Sequence, residues 1–319
     1  MTVYLAIKTM TAIEESIAAD QGAGFRVYQG QVMPHMKDAY RGADEGHRSH
    51  LGASMVGKEC GRAIWYGFRW ALKPKHSGRI LRLFNRGHLE EARFIAMLLS
   101  IGVQVFQADA NGNQYRISDV DGHFGGSGDG VGIGIPDLPP TEPCLLEFKT
   151  HGEKSFIKLS EDGVRKAKFE HFVQMTLYMG KMKLAYALYG AVNKNTDEVY
   201  MEIIPFDPIV YDQYMERARK VIEIRVAPER IRSASPGLFA CRFCDYKNIC
   251  LLDAKPDQNC RTCYHAQPAE NGTWVCNSRE RQMTIGLGGL TEDDHTTGET
   301  QVLTKERQLT GCKRFYTPV

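Results

Sequence analysis

Cys144 to Thr150 reads CLLEFKT, a short apolar run that ends in charge. Such a run suits a strand buried inside a sheet. Within it, Glu147-Phe148-Lys149 is the only E-x-K triplet in the chain. Side chains two apart on a strand share a face, so Glu147 and Lys149 point the same way. Upstream, Asp129 stands in Gly126-Ser127-Gly128-Asp129-Gly130, inside a glycine-rich strand over residues 122–135. Two carboxylates on neighbouring strands suit a hard divalent cation, which takes oxygen ligands, and the Phe148 carbonyl adds a third oxygen. Lys149 beside them is placed to orient or help deprotonate a water and to neutralise phosphate charge. Alone, E-x-K is weak evidence, because a cross-strand Glu–Lys pair has the same letters. Asp121 and Asp137 compete with Asp129, which is preferred because Asp137 follows a proline close to Glu147.

Outward from this strand the periodicity changes repeatedly. Ser54 is placed to cap a helix reaching about Leu72, and a second helix runs from about Leu81 to Ser100 and ends at Gly102. Residues 103–107 and 114–118 read as strands around Asn111-Gly112, a hairpin signal. After CLLEFKT the pattern predicts a helix over 164–181, a strand pair over 184–192 and 198–205, and a helix over 207–226. Residues 1–20 read as an amphipathic helix. The succession defines a mixed α/β fold, with residues 1–250 as the main domain and 251–319 as a small module organised by cysteine spacing.

The chain has 319 residues and a formal net charge of +2, so composition alone does not announce a nucleic-acid partner. Local clusters say more. Lys154, Lys158, Arg165, Lys166 and Lys168 directly follow the E-x-K strand and are placed to track a phosphate backbone, although a solvated helix face has the same composition. No apolar run is long enough to span a bilayer. Residues 1–20 lack the layout of a signal peptide, so a cytoplasmic protein without membrane contact is expected. Nine cysteines are many for that compartment, and a reducing environment favours metal ligation over disulfides.

Cys241, Cys244 and Cys250 have the spacing C-x2-C-x5-C, and Cys60 is the natural fourth ligand. Four thiolates hold either a 4Fe-4S cluster or zinc. A second set, Cys260, Cys263, Cys276 and Cys312, looks like a zinc ribbon around a hairpin at Asn271-Gly272, with His265 and His295 as alternatives to Cys312. So small a module cannot build a core, so Zn2+ would supply its stability. Cys144 reads as a small buried hydrophobe.

Three further features join the E-x-K strand. His88 lies on the preceding helix with Glu91 one turn on, and Gln174 and Tyr178 share one face of the following helix. In the order His88, Asp129, E-x-K, Q-x-x-x-Y, over roughly residues 50–250, the chain resembles the RecB-like branch of PD-(D/E)xK nucleases. The resemblance implies a restriction-endonuclease-like core in which His88, Asp129, Glu147 and the Phe148 carbonyl hold Mg2+ or Mn2+. Lys149 is then catalytic, and Gln174 and Tyr178 contact DNA or steady the site. It also implies that Cys60 with Cys241, Cys244 and Cys250 holds a structural 4Fe-4S cluster, as in the iron–sulfur members of that branch, the CRISPR-associated RecB-like exonucleases and the AddB-type nucleases.

The activity expected on this resemblance is exonuclease action on duplex ends or single strands of DNA, in recombination, repair or replication. The compact layout suits a phage-encoded enzyme, and leaves room for a recombination or replication partner or a homo-oligomer. A spacer-acquisition nuclease of a CRISPR system shares the chemistry. A catalytically silent DNA-binding scaffold is the alternative of another class. Arg62, Trp65, Tyr66, Arg69 and Trp70 combine bases with aromatics, as single-strand binders do, though at helical spacing such rings are more often core. His47, Arg48, His50 and Ser54 are further candidates for the DNA path.

Overall fold

A computed structural model describes residues 2–40, 46–108, 114–231, 234–277 and 301–310. The chain forms two compact units, each assembled from separate stretches. Unit one comprises Met1–Asp44, Lys75–Ile117 and Gly126–Met215; unit two comprises Glu45–Pro74, Ser118–Gly125 and Glu216–Val319. The units thus interleave in sequence, whereas the expected boundary at residue 250 is sequential.

Unit one is built on a mixed five-stranded sheet. Its strands are β1 (Gln104–Phe106), β2 (Gly130–Ile133), β3 (Cys144–His151), β4 (Tyr186–Asn193) and β5 (Val199–Pro205), adjacent in that order. β3 and β4 are parallel and the other neighbours are antiparallel. β3 sits at the centre because both of its faces are apolar: Cys144, Leu145 and Leu146 are all fully buried. Its even-numbered residues join the core formed with α1 (Ile7–Ala19), α2 (Ala23–Val32) and α3 (Gly78–Ser100), where Phe148 stacks on Phe94 with centroids 4.8 Å apart. Its odd-numbered residues face α4 (Glu153–Ala167) and α5 (Phe169–Met182). A last helix, α6 (Pro208–Glu223), leads from unit one into unit two.

Several elements differ from the expectation. The predicted helix over 164–181 is two helices, α4 and α5, which meet at Lys168 in a non-helical conformation. The α4 segment escaped notice because only Phe156, Leu159 and Val164 of its large residues are buried and Gly163 interrupts the pattern. The helix at the start of the chain begins at Ile7, because the residues before it pair with β5: the Ile203 N–H donates to the Tyr4 carbonyl at 2.8 Å. The helix expected over 54–72 is also divided, into Ala53–Val56 and Gly61–Phe68, with Cys60 at the N-cap of the second. The Asn111-Gly112 hairpin tip lies outside the described residues; beside it Ala108 and Gln114 form only an isolated bridge, because Gln104–Phe106 pairs with β2 whereas Arg116–Asp119 lies in a different sheet.

Unit two has an aromatic core holding two buried arginines. Arg69 and Arg261 are 0% and 2% exposed. The Arg69 guanidinium donates to the carbonyls of Arg261, Ala266 and Ile224, and Arg261 donates to Gln308 Oε1 and the Ser49 carbonyl. Arg261 lies 3.8 Å from the Trp70 ring centroid, and both arginines lie over Trp274. Burial lowers Arg69 to about 10 and Arg261 to about 9. Trp65, Tyr66 and Trp70 are buried here as well. Their faces are therefore taken by core contacts, which removes the single-strand stacking expectation. Ala266–Pro268, Trp274–Cys276 and Gln301–Leu303 form a three-stranded antiparallel sheet. The Asn271-Gly272 turn occurs as expected, with φ of 57° and 71°.

Candidate functional site

The site of unit one gathers around the carboxyl half of β3. Glu147 is 1% exposed. Its Oε1 accepts from Gln174 Nε2 at 2.9 Å and contacts the Lys149 ammonium. Its Oε2 is buried and, among the described residues, has no hydrogen-bond partner. Asp129 lies just before β2, and its Oδ2 accepts from the Phe148 N–H at 2.8 Å. Burial, and then the charge of Glu147, push the Asp129 carboxyl well above the usual range. Lys149 behaves oppositely. Burial disfavours its charge, but the carboxylates of Glu147 and Asp129 outweigh that and hold its ammonium above the usual lysine range.

The glycines of the Asp129 segment have steric causes. A Cβ at Gly126 would meet the Tyr178 hydroxyl at 2.3 Å; without it, Tyr178 donates to the Ser127 carbonyl at 2.9 Å. Gly130 has φ +152°, and a Cβ there would lie 2.9 Å from the Phe106 carbonyl oxygen. Gln174 and Tyr178, one turn apart on α5, thus hold Glu147 and the Ser127 carbonyl; Asp129 lies between the strands Phe124–Ser127 and Gly130–Ile133, into which the strand expected over 122–135 divides. Of the competing acids, Asp137 caps α1 by accepting from the Thr9 N–H at 2.8 Å and the Thr9 hydroxyl at 2.7 Å. Asp121 belongs to a turn of unit two.

His88 and Glu91 of α3 line one pocket with Phe148, Lys149 and Thr150. His88 Nδ1 stands 3.5 Å from Glu91 Oε1. The charge of Glu91 reaches both Asp129 and Lys149, so Glu91 joins the site beside His88. Its one-turn spacing from His88 was the available signal.

A second polar group was not foreseen. His151 Nε2 and His171 Nδ1 both lie 2.9 Å from the Tyr189 hydroxyl, and Tyr189 pairs with Glu147 across the β3–β4 ladder. Burial, together with the lysine charges of Lys168 and Lys149, pulls His151 down to about 4 and His171 to about 3. Both rings are therefore neutral near pH 7.

The basic cluster after β3 divides by contact. Arg165 is engaged with Asp207 and the Phe172 ring, Lys166 with Asp162, and Lys168 with Ser155. Lys154 and Lys158 are exposed.

In unit two, Cys60, Cys241, Cys244 and Cys250 line one cavity with Arg62, Tyr66 and Tyr246. Burial raises the Cys244 thiol, as do the charges of Cys60, Asp245 and Cys250. Cys260 and Cys263 form a tight turn, with the Cys263 N–H donating to the Cys260 carbonyl at 3.0 Å. Cys276 pairs with Ala266 in the adjoining hairpin. Cys312 and the alternative ligand His295 lie outside the described residues. Among the described residues, no three His, Cys, Asp or Glu gather tightly enough for a single metal ion. Cys144 is a buried free thiol in the core.

The chain matches no family model and no curated protein. Among solved structures it is similar to an alkaline exonuclease, LHK-Exo, from Laribacter hongkongensis, at 15% identity and a TM-score of 0.40, over 54% of this chain and 86% of that one. LHK-Exo in complex with dAMP is similar at 14% identity and a TM-score of 0.39, with the same coverage of 54% and 86%. SSO0001 is similar at 12% identity and a TM-score of 0.36, over 72% and 98% of the two chains. Among the described residues, no helix is long and apolar enough to cross a membrane.

Proposed function

We propose that this chain is a DNA nuclease of the PD-(D/E)xK type that depends on Mg2+ or Mn2+. The observation that carries the reading is the orphaned oxygen of Glu147, buried without a partner beside a second buried carboxylate. A buried carboxylate oxygen left unsatisfied is costly, and a hard cation satisfies it. Asp129, Glu147 and the Phe148 carbonyl would hold the cation, and His88 and Glu91, which line the pocket beside Lys149, are the candidates to complete the set once it binds. When bound, it polarises a phosphate and lowers the pKa of a water.

The protein's own groups do the rest. Gln174 fixes Glu147 through Oε1 and leaves Oε2 free. Tyr178 holds the Ser127 carbonyl, two residues before Asp129. Lys149, held as an ammonium, meets the charge that develops on phosphate oxygens and orients the attacking water, rather than removing its proton. This favours orientation over deprotonation for Lys149. We assign exonuclease action on DNA ends in recombination, repair or replication as the physiological activity.

Unit two is proposed to carry a 4Fe-4S cluster on Cys60, Cys241, Cys244 and Cys250. These four thiols line one cavity, and four thiolates are the ligand set of such a cluster. Cys260, Cys263 and Cys276, with Cys312, are proposed for Zn2+.

The test is cleavage of end-labelled linear and circular DNA by anaerobically purified protein with Mn2+ or Mg2+, for wild type and Lys149→Ala, with iron, zinc and sulfide assayed on the same samples. Cleavage of linear DNA alone, lost in the variant at unchanged iron content, supports the reading. Equal cleavage by both proteins sinks it.

A further inference from the structure

We propose that the catalytic row of β3 continues into a second phosphate-binding subsite, formed by His151, Ser155, Lys168 and Lys194, for a nucleic-acid phosphate other than the one being cut. This deepens the nuclease reading and rests on it. His151 is the last residue of β3, and its odd number places it on the face of Glu147 and Lys149. It lies at the carboxyl end of the parallel β3–β4 pair, where open α/β sheets bind their ligands.

Four observations build the subsite. First, His151 is held rigidly. The Tyr189 hydroxyl can donate to one imidazole while accepting from the other, and its distances of 2.9 Å to both rings fix His151 and His171 together. Second, Ser155 Oγ lies 3.3 Å from His151 Nδ1 and accepts from the Lys168 ammonium. Third, Lys194 follows β4, and its N–H donates to the His151 carbonyl at 2.8 Å. Fourth, the charges of Lys168, Lys194 and Lys149 all reach the His151 ring. Among the described residues no carboxylate pairs with Lys168 or Lys194. Burial and the charge of Lys158 lower Lys168; burial and the charge of Arg86 lower Lys194. A neutral imidazole within electrostatic reach of several ammonium groups, one of them on the Ser155 hydroxyl, is a place where an anion relieves the charge. The anion that arrives beside a nuclease centre is the phosphate of the same strand.

The experiment uses the full chain and duplex DNA with either 5′-phosphate or 5′-hydroxyl ends, with Ca2+ replacing the catalytic cation so that binding is read without cleavage. Fluorescence anisotropy is recorded against KCl concentration for wild type, Lys168→Gln, Lys194→Gln and, as an exposed control, Lys183→Gln. Each subsite variant is expected to bind DNA about ten-fold more weakly at low salt and to lower the log–log salt slope by about one. Its unfolding temperature should stay at the wild-type value, and the control should change nothing. Loss confined to 5′-phosphorylated DNA identifies a terminal phosphate as the occupant; equal loss on both DNAs identifies an internal one. Affinity and slope unchanged in both subsite variants overturn the proposal. A wild type that binds with these losses in the variants but never cleaves overturns the nuclease reading and leaves the subsite standing.

Discussion

At the scale of single residues, the site is a balance between carboxylates that repel and one lysine that compensates. Burial, and then the nearby charge of Glu147, disfavour the charged form of Asp129 in the metal-free fold. Asp129→Asn is therefore expected to leave thermal stability in EDTA unchanged or higher, while abolishing both cleavage and the stabilisation that Mn2+ gives wild type; calorimetric scans with and without Mn2+ check this. Gln174→Ala removes the neutral donor to Glu147 and should lower cleavage about 10- to 100-fold, with DNA affinity kept, as for groups that orient metal ligands. The two buried imidazoles set a pH dependence. Their folded pKa values, about 4 and about 3, lie below the ordinary 6.5. Above pH 6.5 both are neutral in the folded and unfolded chain, and their contribution to stability is complete. As pH falls, the unfolded chain takes up protons first, so that contribution shrinks until the folded rings titrate. Imidazole proton resonances of His151 and His171 should accordingly stay at their neutral positions down to pH 5. Titration of either ring near 6.5 would contradict the burial described.

At the scale of elements, the sequence was most informative where the chemistry is local. The E-x-K triplet, the apolar β3 run and the α5 pair Gln174 and Tyr178 each declare themselves within a few residues, and β3, α5 and the β4–β5 pair lie close to their expected places. Tyr189, His151 and His171 were not legible. Tyr189 sits inside an apolar strand, where a tyrosine reads as core, and the histidines become partners only when β3, β4 and α5 assemble. Helix α4 was obscured because its buried residues are few and the glycine at 163 interrupts it. The glycine-rich strand makes a firm prediction. Gly126→Ala would drive a methyl group into the Tyr178 hydroxyl, displacing it from the Ser127 carbonyl. The expected result is cleavage reduced about ten-fold or more with the circular dichroism spectrum retained. The double variant with Tyr178→Phe should be no worse than the single one, since both act through the same contact.

At the scale of the whole molecule, interleaving of the two units was hidden because hydrophobic periodicity reports local structure, while the units are defined by contacts far apart in sequence. The Arg69 guanidinium, for example, reaches the Ala266 carbonyl 197 residues away. Arg261→Met should destabilise unit two by about 2–5 kcal/mol. The loss would come from the carbonyls and the Gln308 side chain left without their buried donor. A separate unfolding transition at lower temperature should report it. A chain ending at residue 250 lacks Arg261 and Trp274, and should expose the aromatic core of residues 61–70 and precipitate or bind hydrophobic dyes.

The same interleaving dictates a timetable for synthesis. Every segment of unit one has been made once Met215 leaves the ribosome, whereas unit two needs residues on to Gln308, which accepts from Arg261. The sheet that presents Glu147 and Lys149 can therefore form before Cys241, Cys244 and Cys250 have emerged. On the proposed cluster, Cys60, made long before them, would have to stay reduced and unreacted until they emerge. Completion of the cysteine-lined half is thus a late event, set by the arrival of its last segments.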